Sequence, residues 1–131
     1  MIAYTMVGTN DLDISGKFYD TILAPLGAKR AWVEEKFIVW SVGEMSEGTS
    51  FSITLPYDEK AATVGNGAMT AFAANSPETV NEIHKLAVAN GGTCEGEPGY
   101  RGDPASGFYA GYFRDTDGNK LNAFCISPRT E

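Results

Sequence analysis

At 131 residues, 43% of them hydrophobic and 21% charged, the chain has the make-up of one compact domain long enough to bury a core without staples. A formal net charge of −7 opposes nucleic acid and anionic membrane surfaces as partners, because both repel an acidic protein on approach. No apolar stretch nears the roughly 18 residues of a membrane span, and the opening MIAYTMVGTNDLD lacks a basic start and a sustained apolar run, so a cytoplasmic location is expected.

Taken in order, residues 2–9 form an apolar run that reads as a buried strand. Asn10 or Asp11 can cap the helix that follows from Leu12 to Leu26, with Ile14, Phe18, Ile22 and Leu26 recurring every fourth residue. Pro25 and Gly27 end it. Residues 29–33 and 37–42 read as strands around Glu34-Glu35-Lys36. A loop covers 43–48, another strand runs from Thr49 to Leu55, and the polar stretch from Pro56 to Gly65 is the expected internal boundary.

The same order then returns. Gly67 to Ala74 reads as a strand, and Ser76-Pro77 starts a helix that Gly91-Gly92 stop. Thr93 to Glu95 begins a strand, and Gly96 to Gly107 reads as a long loop. The closing stretch, FYAGYFRDTDGNKLNAFC, is a hairpin: two runs of alternating aromatic and small residues flank Asp115-Thr116-Asp117-Gly118-Asn119, whose Asp, Asn and Gly suit a turn. Alternation puts Asn122 on one face with Lys120 and Phe124. Tyr4 and Met69, Asn10 and Asn75, and Gly27 and Gly92 are each 65 residues apart, so strand start, cap and helix stop keep step. The chain therefore reads as an α+β protein of two tandem βαβββ modules, about 1–56 and 66–127 with a linker at 57–65, neither able to bury its apolar face alone.

Few residues advertise chemistry. Cys94 and Cys125 lack a C-x-x-C spacing or partner histidines in sequence, so they read as reduced, partly buried thiols rather than metal ligands. The one histidine, His84, sits mid-helix at the edge of the apolar stripe and reads as a surface or boundary residue. In the long loop, Tyr100 and Arg101 offer a ring and a fixed cation for an anionic or aromatic ligand, although Arg101 can equally pair with a nearby carboxylate. Trp32, Trp40, Tyr57 and Tyr109 can wall a groove, with at least half of them expected in the core. Glu34-Glu35 and Asp115/Asp117 sit in turns, where solvation is the default. No glycine-rich phosphate loop opens a helix, and no G-x-S-x-G elbow is present.

DTDGNKLNAF resembles the D-P-D-G-N-x-x-E hairpin of the glyoxalase, bleomycin-resistance and extradiol dioxygenase superfamily, the vicinal oxygen chelate proteins. NDLDISGKFYDTILAPLGAKR resembles that family's D-L-x-x-S-x-x-F-Y opening, and GNGAMTAF its G-x-G-x-H-x-A-F strand. The resemblance implies the glyoxalase/bleomycin-resistance fold, a curved mixed sheet with a central groove. In metal-dependent members a first-strand residue, a carboxylate ending the first module, the second-half His and the hairpin Glu hold a divalent ion. Position by position this chain offers Tyr4, then Ser52 or Thr54, then Met69 and Asn122. A protonated phenol, hydroxyls, a soft thioether and a neutral amide suit no hard or borderline cation, so no metal and no cofactor is expected there. The resemblance then implies a pocket for a small organic molecule lined by Tyr4, Ser52, Thr54, Met69 and Asn122, joined by Tyr100, Arg101 and Tyr109, and self-association as a homodimer. The alternatives are that these residues merely fill the space, that the chain serves protein interaction, or that it is a divergent lactoylglutathione-lyase-like or dioxygenase-like enzyme, either metal-dependent or using Tyr4 or Arg101 in place of metal.

Overall fold

The computed structural model describes residues 1–128. Its first half comprises β1 (Tyr4–Gly8), α1 (Leu12–Leu23), β2 (Lys29–Val33), β3 (Phe37–Ser41) and β4 (Ser50–Thr54). Its second half comprises β5 (Thr70–Ala73), α2 (Pro77–Ala89), β6 (Thr93–Tyr100), β7 (Phe108–Arg114) and β8 (Lys120–Ile126). Each half is a four-stranded mixed sheet, in the orders β1-β4-β3-β2 and β5-β8-β7-β6. In each, the first strand runs parallel to the last and the other pairs are antiparallel. The chain is thus α+β with βαβββ built twice, as two matched sheets rather than one continuous one.

Local chemistry sets the helix ends. Asp11, not Asn10, caps α1, its carboxylate accepting from the Ile14 N–H at 3.0 Å. Ser76 does the same for α2, accepting from the Thr79 N–H at 3.2 Å, with Pro77 in the first turn. The two caps are again 65 residues apart. The α-helix stops at Leu23 and a 3₁₀ turn, Ala24–Leu26, carries the chain to Gly27 in the left-handed region. At the end of α2, Gly92 is required by close approach: a Cβ there would sit 2.7 Å from both the Ala87 and the Arg114 carbonyl oxygens.

One core joins the halves. Phe18, Tyr19, Ile22 and Leu23 of α1 pack with Ile38, Trp40, Phe51 and Ile53, and with Val80, Ile83, Phe113 and Leu121 of the second module. The helices touch each other, so the modules meet through their helix-bearing sides. Ile14, expected on the buried stripe, faces outward instead, because the stripe follows Ser15, Phe18, Tyr19, Ile22 and Leu23. The first strand is not buried either. Tyr4 and Met6 are exposed on the side of β1 away from α1.

Two turn readings need correction. Asp115 is only 3% exposed. Its carboxylate accepts from the Tyr19 hydroxyl at 2.6 Å, from the Asp117 and Asn119 N–H groups, and from the Asn119 amide, which also donates to the Gly8 carbonyl. The hairpin tip of module two is thereby tied to module one. The stretch expected to be a loop from Gly96 is instead the outer half of β6, with shifts of register between Cys94 and Gly96 and again between Gly96 and Gly99. An edge strand tolerates Pro98 and glycines that a central strand would not. The true loop is short, residues 101–107 with one 3₁₀ turn.

Both cysteines are free, Cys94 exposed and Cys125 buried. Burial first, and the Glu78 charge second, push the Cys125 thiol up. A thiol reagent added to native protein should therefore label Cys94 rapidly and Cys125 only on unfolding. Equal rates at both thiols, followed by mass spectrometry, would contradict this packing.

Candidate ligand-binding groove

In each sheet alternate residues turn away from the helix. On the first sheet this helix-free face carries Tyr4 and Met6 of β1, Val39 of β3, and Ser50, Ser52 and Thr54 of β4, since Phe51 and Ile53 enter the core. On the second it carries Ala71 and Ala73, then Tyr112, and Lys120, Asn122 and Phe124, since Leu121, Ala123 and Cys125 face α2. A groove of about 580 Å³ runs where the two modules adjoin, lined by Ile2, Thr5, Ser50, Met69, Ala71 and Phe124, among others.

The structure divides the eight residues singled out from the sequence. Met69 lines the groove and is 46% exposed. Tyr4, 60% exposed, lies in register with Ser50. Asn122 does not line the groove but lies in register with Ala71, which does. It is only 2% exposed, and its Oδ1 has no hydrogen-bond partner. Ser52 and Thr54 both face this side, but their hydroxyls are engaged: Ser52 donates to the Thr5 carbonyl at 2.7 Å, and Thr54 to the Leu55 carbonyl at 2.8 Å.

Tyr100 and Tyr109 lie elsewhere. They pair across β6 and β7 on the α2 side, with rings in edge contact at 5.1 Å. The Tyr109 hydroxyl donates to Asn81 of α2 and the Tyr100 hydroxyl to the Ser127 carbonyl. Arg101 folds back instead of projecting. Its guanidinium donates to the carbonyls of Glu97 at 2.6 Å and Gly99 at 3.0 Å. It lies 5.3 Å from the Tyr112 ring, over the bare backbone at Gly96 and Gly99. Tyr112 pairs with Asn122, and Lys120 approaches the same ring at 5.8 Å. Arg101 is thus held toward the Asn122 face. Of the proposed groove aromatics, Trp40 is core, Tyr109 packs against the core, and Trp32 and Tyr57 are exposed.

Two polar groups were missed from sequence. Ser50 lines the groove with its hydroxyl unpartnered, and Tyr112 bridges Asn122 to the two cations. Strand alternation from Asn122 and a fixed β7–β8 register were enough to find Tyr112. Ser50 carried no local mark.

The sequence pattern of the glyoxalase/bleomycin resistance protein/dioxygenase superfamily matches residues 1–123. The chain belongs to that superfamily. Its structure is similar to that of a glyoxalase/bleomycin resistance protein from Albidiferax ferrireducens T118, with 40% identity, a TM-score of 0.86, and 97% of this chain and 99% of that chain covered. In fold it is also similar to a glyoxalase-related enzyme from Fulvimarina pelagi (20% identity, TM-score 0.72, covering 95% and 87%). A lactoylglutathione lyase from Agrobacterium tumefaciens is a further fold relative (20% identity, TM-score 0.68, covering 95% and 92%). No curated protein matches the sequence. No helix among the described residues is long and apolar enough to cross a membrane.

Superfamily membership raises the question of a divalent ion, and the donor set answers it on chemical grounds. At the inherited positions stand a phenol, hydroxyls already donated to backbone carbonyls, a thioether and a neutral amide. None supplies the carboxylate or imidazole that a hard or borderline ion takes, so these residues do not fit one.

Proposed function

We propose that this superfamily member binds a small organic molecule, without a metal at the inherited positions, in the groove between its modules. The observation that carries the reading is the Asn122 amide, buried on β8 in register with the groove-lining Ala71 and holding an unpartnered oxygen. A buried acceptor left unmade costs about 1–3 kcal/mol, which a ligand donor would recover. Ser50 adds a second unpartnered polar group, a hydroxyl, and Met69, Ala71 and Phe124 supply apolar walls. Arg101 and Lys120, both against Tyr112, favour a ligand with an anionic group.

Exposed Tyr4, Met6, Trp32 and Met69 support a homodimer that covers the helix-free faces. The second reading is an enzyme of lyase type. It is favoured by the same two cations beside Asn122, which would stabilise a developing negative charge.

A thermal-shift screen against small aromatic and anionic metabolites tests the binding reading. At a hundredfold excess over its dissociation constant, a ligand should stabilise the fold by about 2.7 kcal/mol. That gain should vanish in Asn122→Leu. A stabiliser indifferent to Asn122, or none across the screen, would count against the groove. Sedimentation equilibrium should show a dimer that Tyr4→Glu dissociates, and a monomer at all concentrations would remove the dimer.

A further inference from the structure

On the opposite side of the second sheet, the structure assembles a group that the sequence scatters. A ring nitrogen of His84, the Cys94 sulfur and a Glu97 carboxylate oxygen all lie within 4.8 Å of one another. His84, expected at the surface or the boundary of the apolar stripe, is buried at 5% exposure, and its Nε2 has no hydrogen-bond partner. Cys94, which has no histidine near it in sequence, has one in space. Its Sγ also donates to Glu97 Oε1 at 3.5 Å.

The register shift in β6 is what makes this possible. On a regular strand, residues three apart face opposite sides; the extra residue between Cys94 and Gly96 turns Glu97 back to the side of Cys94. His84 reaches the same place from the buried face of α2, against the bare Gly111 and the edge of Phe113.

We propose that His84, Cys94 and Glu97 form a binding site for a borderline divalent transition ion of the zinc class. The donor chemistry selects the ion. Thiolate, imidazole and carboxylate together suit Zn²⁺ or Co²⁺, whereas Mg²⁺ and Ca²⁺ want oxygen alone. Bond lengths of about 2.0–2.3 Å place tetrahedral donors roughly 3.3–3.7 Å apart. The sulfur and carboxylate oxygen already have that separation, and both belong to exposed residues that can close on the buried imidazole. The thiol proton leaves to solvent as the thiolate–metal bond forms, so binding strengthens as pH rises. Three protein donors leave a fourth position open, and His84 and Glu97 line a surface cavity of about 640 Å³ from which water or a ligand atom can fill it. Lys85 lines the same cavity, and its charge there weakens cation binding while favouring an anionic fourth ligand. The site is independent of the module groove.

The test is titration of Co²⁺ into chelator-treated full-length protein, read by absorption spectroscopy. Expected are one equivalent bound, a thiolate-to-cobalt charge-transfer band in the near ultraviolet, and visible bands of tetrahedral intensity. Cys94→Ser should abolish the charge-transfer band, and Glu97→Gln should weaken binding by more than about tenfold. Cys125→Ser and Asn122→Leu should leave the spectrum unchanged. Because Cys94 and Glu97 are exposed, their variants fold even where a His84 variant fails. Absence of binding, binding without a thiolate band, or a band that survives Cys94→Ser would each overturn the assignment.

Discussion

Asp115→Ala should lower the melting temperature by roughly 10 °C or more, corresponding to about 3–5 kcal/mol. The carboxylate joins Tyr19 of α1, two backbone N–H groups and the Asn119 amide at the hairpin tip. Removing it strands several buried donors at once, each costly to leave unmade. Tyr19→Phe removes one hydroxyl and leaves the other donors paired, so about 1–2 kcal/mol is expected. The same contact sets an alkaline limit. Burial first, and then the Asp115 charge and hydrogen bond, push the Tyr19 phenol well above its ordinary value. The folded state therefore holds a proton that the unfolded chain releases above about pH 10. This contribution is complete below about pH 10 and is lost as pH rises toward the folded-state value. Tyr19→Phe should flatten that alkaline fall in denaturant unfolding. A shallow loss for Asp115→Ala, under about 1 kcal/mol, would mean the hairpin tip is not what ties the modules together.

Trp40→Ala is expected to cost about 3–5 kcal/mol, the usual range for truncating a large buried aromatic. The ring is 1% exposed, lies 5.7 Å from Tyr19 and 6.4 Å from Phe51, and has the Arg30 guanidinium over it at 5.7 Å. Its indole N–H donates to Asp20 at 2.9 Å, beside the Arg30–Asp20 ion pair. Burial alone would raise the Asp20 carboxyl, but the hydrogen bonds from Arg30 and Trp40 outweigh it and hold it below its ordinary value. Trp40→Phe separates the two roles, keeping most of the ring volume while removing the donor; about 1–2 kcal/mol is expected from that bond. Equal losses for the two variants in urea unfolding would show that packing contributes little here.

Where chemistry is local, it was legible in the sequence. Asp11 and Ser76 announce helix starts because a short polar side chain competes for free N–H groups in the next turn. Asp115 to Asn119 announce a hairpin for the same reason, and the offset of 65 between modules follows once both are placed. The face of Asn122 followed from strand alternation. What sequence hid depends on distant packing. Ile14 fits a period of four yet points outward, because α2 and the second module decide which stripe of α1 is covered. Tyr100 reads as a loop residue because its strand has a shifted register, which conceals the side it faces, whereas Tyr109 is set on the face opposite to Asn122 by the β7–β8 register, which pairs Tyr112 with Asn122. Asp115 read as solvated because Tyr19, its buried partner, is 96 residues away.

The broken register of β6 also bears on how the molecule keeps to itself. This strand is the rim of the second sheet, and an incoming chain would need an even row of amide and carbonyl groups to add to it. Pro98 withholds one donor, the irregular stretch from Cys94 to Gly99 interrupts the row, and Arg101 occupies the carbonyls of Glu97 and Gly99. Strand-on-strand growth into fibrils is thereby discouraged along this border, leaving side-chain surfaces rather than bare backbone for encounters with other molecules.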